Sequence, residues 1–227
     1  MIIITGASNG IGKYLHDHFL KLGNDVIGIY NSTPPKTDQN SFVKIDISNY
    51  EQVKEFYQQI EDRIQDIRII NCAGINYNSY AHKVSIENWR KVIEVNLYGT
   101  FYMNSIFLNK MREQNFGRII NISSIVAQKG VPGTSAYAAS KSALWGMTKA
   151  IAVENASKGI TINNLNLGYF NIGMIEQVSQ DVQDTIKKQI PINNEFGNSL
   201  NIYNAINFLF NSPYITGTSI DINGGLY

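Results

Sequence analysis

"MIIITGASNGIGKYLHDHFLKLG", residues 1–23, runs from a β-branched stretch through a glycine-rich loop into an amphipathic segment. Ile2, Ile3 and Ile4 are uniformly apolar rather than alternating, as suits a strand covered on both faces. The glycines that follow allow a tight turn, a close backbone approach to a ligand and close packing of helix on strand. Ile11, Leu15, Phe19 and Leu22 recur at helical spacing and predict one apolar stripe, with Gly23 as the C-terminal cap. A helix entered from such a loop points its free N–H groups at an anion, so "TGASNGIG" at 5–12 predicts a pyrophosphate cradle. Gly6, Ser8, Asn9, Gly10, Ile11 and Gly12 are its expected contacts. An ordinary glycine turn is the plain alternative; the placement between an N-terminal strand and an amphipathic helix favours the ligand.

The same alternation continues along the chain. Short, largely apolar runs stand at "DVIGIY" (25–30), "FVKIDI" (42–47), "IRIINC" (67–72), "GRIINIS" (117–123), "ITINNLNL" (160–167) and "TSIDI" (218–222). Helical patterns are expected at about 50–65, 86–112, 136–157 and 200–211. Right-handed crossovers then place helices on both faces of one doubly wound parallel α/β sheet of about seven strands, in a single domain spanning 1–227. Pro34 and Pro35 leave room only for a loop crossover over residues 31–41. Residues 169–199 form the other long irregular segment and a candidate substrate lid.

Composition narrows the function classes. The net charge is +1 over 227 residues with no Lys/Arg run, which leaves no electrostatic footprint for nucleic acid or an anionic membrane. The single cysteine, Cys72, lies in an apolar run and reads as an inert buried thiol in a reducing compartment. Neither a signal peptide nor a membrane span is visible, and a cytoplasmic protein is expected. Asn is abundant, so an isolated Asn receives little functional weight.

The C-terminal ends of the strands border the ligand crevice of such a sheet. Tyr30, Asn31 and Ser32, with Lys36 nearby and no carboxylate before Asp38, favour NADP over NAD at the ribose. Asp46, with Ile47, can face the adenine; a strand-end turn is the alternative for Asp46. Asn71, Ala73 and Gly74 of "NCAG" (71–74) can run along the cofactor, although packing alone also accounts for the small residues. Two Tyr–Lys pairs occur at i, i+4. Tyr50 and Lys54 read as a surface helix pair. Tyr137 and Lys141 begin the long helix after the fifth strand, whose end "NISS" (121–124) offers Ser124, with Ser123 as its rival.

"TGASNGIG", "NCAG", "VNLYG", "NISS", "YAASK" and "YITGTSIDINGG" follow the order and spacing of the short-chain dehydrogenase/reductase family. Across nearly the whole chain the sequence resembles its 3-oxoacyl-acyl-carrier-protein reductase branch. The resemblance implies a Rossmann-type domain and a catalytic set of Asn96, Ser124, Tyr137 and Lys141. Tyr137 would exchange the proton, Lys141 would lower its pKa and hold the nicotinamide ribose, Ser124 would bind the substrate oxygen, and Asn96 would position a relay water. Lowering a phenol from about 10 to near neutrality takes about 4 kcal/mol. Gly168 and Ile172 would line the nicotinamide end, but Leu167 and Ile172 replace the Pro and Thr that the family usually carries. Arg112 and Lys158 fall where that branch places cations against an acidic carrier.

These readings predict an NADP-dependent carbonyl reductase, with NAD as the alternative cofactor, acting on a small-molecule ketone or alcohol, free or carrier-linked. A homodimer or homotetramer is expected. A catalytically silent NADP-binding sensor or structural subunit is the rival.

Overall fold

The computed structural model describes residues 1–36 and 39–226, the side chain of Gln39 excepted. Asp38, the first carboxylate after the second strand, therefore lies outside the described residues. Among the described residues there are seven strands: β1 (Ile2–Thr5), β2 (Val26–Tyr30), β3 (Phe42–Lys44), β4 (Arg68–Asn71), β5 (Gly117–Ser124), β6 (Ile160–Leu167) and β7 (Ser219–Ile222). They form one parallel sheet in the order β3-β2-β1-β4-β5-β6-β7. The order reverses between β1 and β4, where a doubly wound sheet opens its crevice at the strand C-termini.

Alternation along the strands divides the interior into two cores. Ile3, Ile69, Ile119 and Ile162 pack with Phe56 of α2 (Tyr50–Ile60), Met103 and Phe107 of α4 (Thr100–Gln114) and Ile151 of α5 (Ser135–Asn155). Ile2, Ile4, Ile70 and Ile120 pack on the opposite face with Leu15 and Phe19 of α1 (Gly10–Lys21) and Ile202, Ile206 and Leu209 of α7 (Ser199–Phe210). The α1 stripe thus forms through Leu15 and Phe19, whereas Leu22 falls at the helix end and is 56% exposed. Gly23 ends α1 with a φ of +79°; its N–H donates to Leu20 O, and that of Asn24 donates to Phe19 O.

Two segments differ from the sequence reading. The helix expected at 86–112 is α3 (Ile86–Ile93) and α4 joined by a π-helical turn, Glu94–Gly99. Such a turn displaces the backbone bonding pattern, and the Thr100 hydroxyl donates to the Asn96 carbonyl at 2.9 Å. Residues 169–199 are not wholly irregular: they hold a 3₁₀ turn at Gly173–Gln177 and α6 (Gln180–Lys187). No α6 side chain is fully buried; Ile186 packs on a small cluster of Ile125, Ile190 and Leu226. Among the described residues no helix is long and apolar enough to cross a membrane.

One row of the sheet is polar. Thr5, Asn71, Asn121, Asn164 and Ser219 are successive cross-strand neighbours on the face covered by α4 and α5. Asn71 donates to Asn104 (2.7 Å) and Asn121 (2.9 Å), Asn121 donates to Thr148 (3.0 Å), Thr148 to Asn164 (2.8 Å), and Asn164 to Ser219 (3.0 Å). Asn104, Asn121, Thr148 and Asn164 have no exposed surface. The amides bond one another at this depth, although Asn71 Oδ1 and Asn104 Nδ2 have no partner among the described residues.

Candidate active site

The glycine loop packs against the end of β4. A side chain at Gly6 would stand 2.8 Å from the Ala73 Cα, one at Gly10 2.8 Å from the Gly173 Cα, and one at Gly12 2.2 Å from the Gly6 carbonyl oxygen. Gly6 (φ +67°) and Gly10 (φ +51°) also use the left-handed region, so this backbone needs glycine on both grounds. The Thr5 hydroxyl accepts from the N–H groups of Cys72 and Ala73, both at 3.0 Å, and fixes "NCAG" beside the loop. Asn9 is the residue before α1, and its side chain makes no capping hydrogen bond. The helix-entry N–H groups beside Ser8, Asn9 and Ile11 therefore remain suited to a ligand anion.

The next glycine joins this cradle to the Tyr–Lys pair. A side chain at Gly74 would meet Asn96 Oδ1 at 3.4 Å and Lys141 Nζ at 3.5 Å. Three consecutive residues of β5 meet the pair. The Lys141 ammonium donates to the Ile122 carbonyl at 2.7 Å, the Ser123 hydroxyl donates to the Lys141 carbonyl at 3.1 Å, and the Ser124 hydroxyl is near enough to the Tyr137 phenol to pull its pKa down. The pleat decides between the serines: Ser123 turns onto the α5 side, and Ser124 meets the phenol at the strand end while accepting from Val126 N–H at 3.2 Å. Lys141 Nζ lies 5.6 Å from the centre of the Tyr137 ring.

The electrostatics differ from the sequence reading. Burial raises the Tyr137 phenol to about 12, against the downward pull of the Ser124 hydroxyl, and the neighbouring Cys72 adds a further upward push. Burial lowers Lys141 to about 8. The phenol shows no depression by the ammonium, which is directed at the Ile122 carbonyl, and desolvation is the largest influence on both groups. The Cys72 thiol, also at this point, is pushed up by burial to about 11. At neutral pH the arrangement holds a protonated phenol, the form that donates.

Asn96 is fully buried in the π-helical turn and holds the loop after Gly74. It accepts from Ile75 N–H at 2.8 Å and donates to Ile75 O at 2.9 Å and to the Ser140 hydroxyl at 3.1 Å. Both of its amide hydrogens are thereby engaged within the protein.

Other expected contacts fall in two groups. Tyr30 ends β2, Asn31 and Ser32 follow it exposed, and Asn31 is hydrogen-bonded to Asp46. Burial alone would raise the Asp46 pKa, but bonds from Ser48 and the charge of Lys91 outweigh it and hold the carboxyl low. The side chains of Asn71 and Ile47 turn inward, into the polar row and the α4 core, leaving their backbones at the crevice. Gly168 donates to Ile222 O at 2.9 Å, and Ile172 lies on the far side of the loop beside Gly10. Sequence reasoning missed Thr5, Ser140 and Cys72 as neighbours of the site; a hydroxyl at a strand end was the available signal for Thr5.

The remaining candidates are placed elsewhere. Tyr50 packs edge-on against Tyr102 (5.4 Å), and Lys54 approaches Glu51 (3.7 Å), so these two residues are not a pair. Arg112 donates to Glu154 O at 3.2 Å and Asn155 Oδ1 at 2.8 Å, joining the ends of α4 and α5.

Comparison with known proteins agrees with this arrangement. The family model described as short chain dehydrogenase matches residues 1–183. A 3-oxoacyl-[acyl-carrier-protein] reductase FabG of Rickettsia bellii is 37% identical, covering 99% of this chain and 95% of its own length. Proteins of the same name from Staphylococcus epidermidis (31% identical, 99% and 98% covered) and Haemophilus influenzae (30%, 99% and 97%) are also similar. Strand order, glycine cradle and full-length similarity converge, and the chain belongs to the short-chain dehydrogenase family of oxidoreductases.

Proposed function

We propose that the chain reduces a ketone, or oxidises the matching secondary alcohol, with NADP(H) as hydride partner and Tyr137 as proton donor or acceptor. The observation that carries this reading is the end of β5, where Ile122 and Ser123 fix Lys141 and Ser124 stands beside the Tyr137 phenol at the end of the glycine cradle. The cradle suits a dinucleotide, since Gly6, Gly10 and Gly12 each exclude a Cβ where the backbone must turn. When bound, the nicotinamide supplies or accepts the hydride.

The protein's share is placement and proton transfer. Ser124 donates to the substrate carbonyl oxygen and polarises it. Tyr137, protonated at neutral pH, gives its proton to that oxygen as negative charge develops there. Lys141 stabilises the phenolate left behind and holds the nicotinamide ribose; Asn96 fixes the loop that carries Gly74. Tyr30, Asn31, Ser32 and Lys36 receive the adenosine ribose, and their lack of a carboxylate favours the 2′-phosphate of NADP. Residues 169–199, with α6, cover the substrate. A 3-oxoacyl group in thioester linkage, the substrate class for which the similar reductases are named, is our first candidate, and the working form is a homodimer or homotetramer.

The test is NADPH oxidation with a 3-oxoacyl thioester, comparing the parent chain with Tyr137→Phe and Tyr50→Phe. Turnover should fall at least about 100-fold at position 137 and stay unchanged at position 50. Equal rates for Tyr137→Phe and the parent would refute the assigned acid. Tight NADPH binding without reduction across a ketone panel would leave the chain a cofactor-binding protein.

A further inference from the structure

A second polar row lies one step nearer the strand ends than the asparagine row. Ser123, Asn166 and Asp221 are cross-strand neighbours on β5, β6 and β7. The indole N–H of Trp145, one turn beyond Lys141 on α5, bridges two of them, reaching Asn166 Oδ1 at 3.0 Å and Ser123 Oγ at 3.3 Å. Asn166 donates to Asp221 Oδ1 at 2.7 Å, and Gln128 donates to both Asp221 oxygens at 2.9 and 3.0 Å. The bonds have a direction. An indole can only donate, so Ser123 receives from Trp145 and turns its own proton to the Lys141 carbonyl, which it meets at 3.1 Å. Asn166 must present its oxygen to the indole because its nitrogen is committed to the Asp221 carboxylate.

We propose that Trp145 and Asn166, anchored by Asp221, are positioning residues for Lys141 and, through it, for Tyr137. The proposal rests on the function proposed above, since it concerns the same pair. Among the described residues the Lys141 side chain has one hydrogen-bond partner, Ile122 O, and its backbone is tied to the next residue of that strand by Ser123. With the Ser123 hydroxyl free to rotate, the first turns of α5 lose their second tie to β5. Gln128 lies in the segment between Ser124 and Tyr137, so the row fixes that segment and the helix to one carboxylate. Among the described residues the titratable groups facing Lys141 are Cys72, just after β4, and Tyr137 on its own helix.

Trp145→Phe removes the N–H and keeps most of the ring; Asn166→Ala removes the relay to Asp221. With the ketone and NADPH assay, both should lower kcat about tenfold, leave KM for the ketone within about twofold, and move the pH profile of kcat by about half a unit or more. Ser123→Thr, which restores a hydroxyl, should recover most of the rate that Ser123→Ala loses. An unmoved pH profile in both Trp145→Phe and Asn166→Ala, whatever the rate, would assign the row to stability alone and overturn the proposal. Should Trp145→Phe not fold, Asn166→Ala decides by the same criterion. A parent enzyme whose turnover does not depend on Tyr137 would instead refute the underlying function.

Discussion

Replacing Lys141 by Met should stabilise the folded chain near neutral pH, and the advantage should shrink as the pH rises. Lys141 is 3% exposed, and burial holds its pKa at about 8 instead of 10.5. That difference corresponds to roughly 3 kcal/mol against keeping the ammonium in the folded chain. Met has similar bulk and no charge, but it also removes the 2.7 Å hydrogen bond to the Ile122 carbonyl. Losing that bond costs about 1–2 kcal/mol, so a net gain of about 1–2 kcal/mol is expected below pH 8. Between pH 8 and 10.5 the unfolded parent retains the Lys141 proton that the folded parent has released, so the parent gains stability with pH across that window and the variant does not.

Urea unfolding of both proteins at pH 7 and pH 9.5 reads this directly. With roughly 2–3 kcal/mol per molar urea for a chain of this size, the variant's midpoint should lie about 0.5 M higher at pH 7 and approach the parent's at pH 9.5. Both pH values lie below the range in which the folded Tyr137 phenol, at about 12, ionises. A variant less stable than the parent at pH 7, or a difference that does not shrink with pH, would show that burial is not what acts on Lys141. Catalysis should be lost throughout, as expected where stability is given up to hold a functional cation.

Asn96→Ala takes the side-chain partner from Ile75 N–H and Ile75 O and removes the amide that donates to the Ser140 hydroxyl, which keeps its own bond to Tyr137 O. It should destabilise by about 2–4 kcal/mol and lower the urea midpoint by about 1 M; a loss under about 0.5 kcal/mol would show that the loop does not depend on the clamp. Gly12→Ala places a methyl 2.2 Å from the Gly6 carbonyl oxygen and forces the cradle open by about 1 Å. Dinucleotide affinity, followed by fluorescence titration, should fall at least about tenfold with the far-ultraviolet circular dichroism retained; unchanged affinity would remove the cradle from the binding site.

Much of the scaffold could be read from the chain because parallel strands buried on both faces are continuous apolar runs. Ile2–Thr5 and Ile160–Leu167 lie within one residue of their expected limits. α6 was harder to read because it is short and polar; the signals present were Val182 and Ile186 four residues apart, Asp181 in the first turn and Lys187 in the last. The π-helical turn at Asn96 left no mark in periodicity, since one extra residue does not break an apolar pattern this weak. Residue type alone left Ser123 and Ser124 as rivals; the family resemblance pointed to Ser124, and the pleat supplies the physical reason. The inversion at the pair has a similar origin: sequence places a cation near a phenol, but how far both leave water depends on packing.

The row through Asn71, Asn121 and Asn164 has a consequence for how such a chain can change over time. Each amide there is a neighbour's partner, so a lone apolar replacement takes a hydrogen bond from the residue beside it, while simultaneous replacement of adjoining members removes both ends of their shared bond. Viable paths between this interior and an aliphatic one therefore pass through concerted exchanges across neighbouring strands, and the intermediates would be poorer folders than either endpoint.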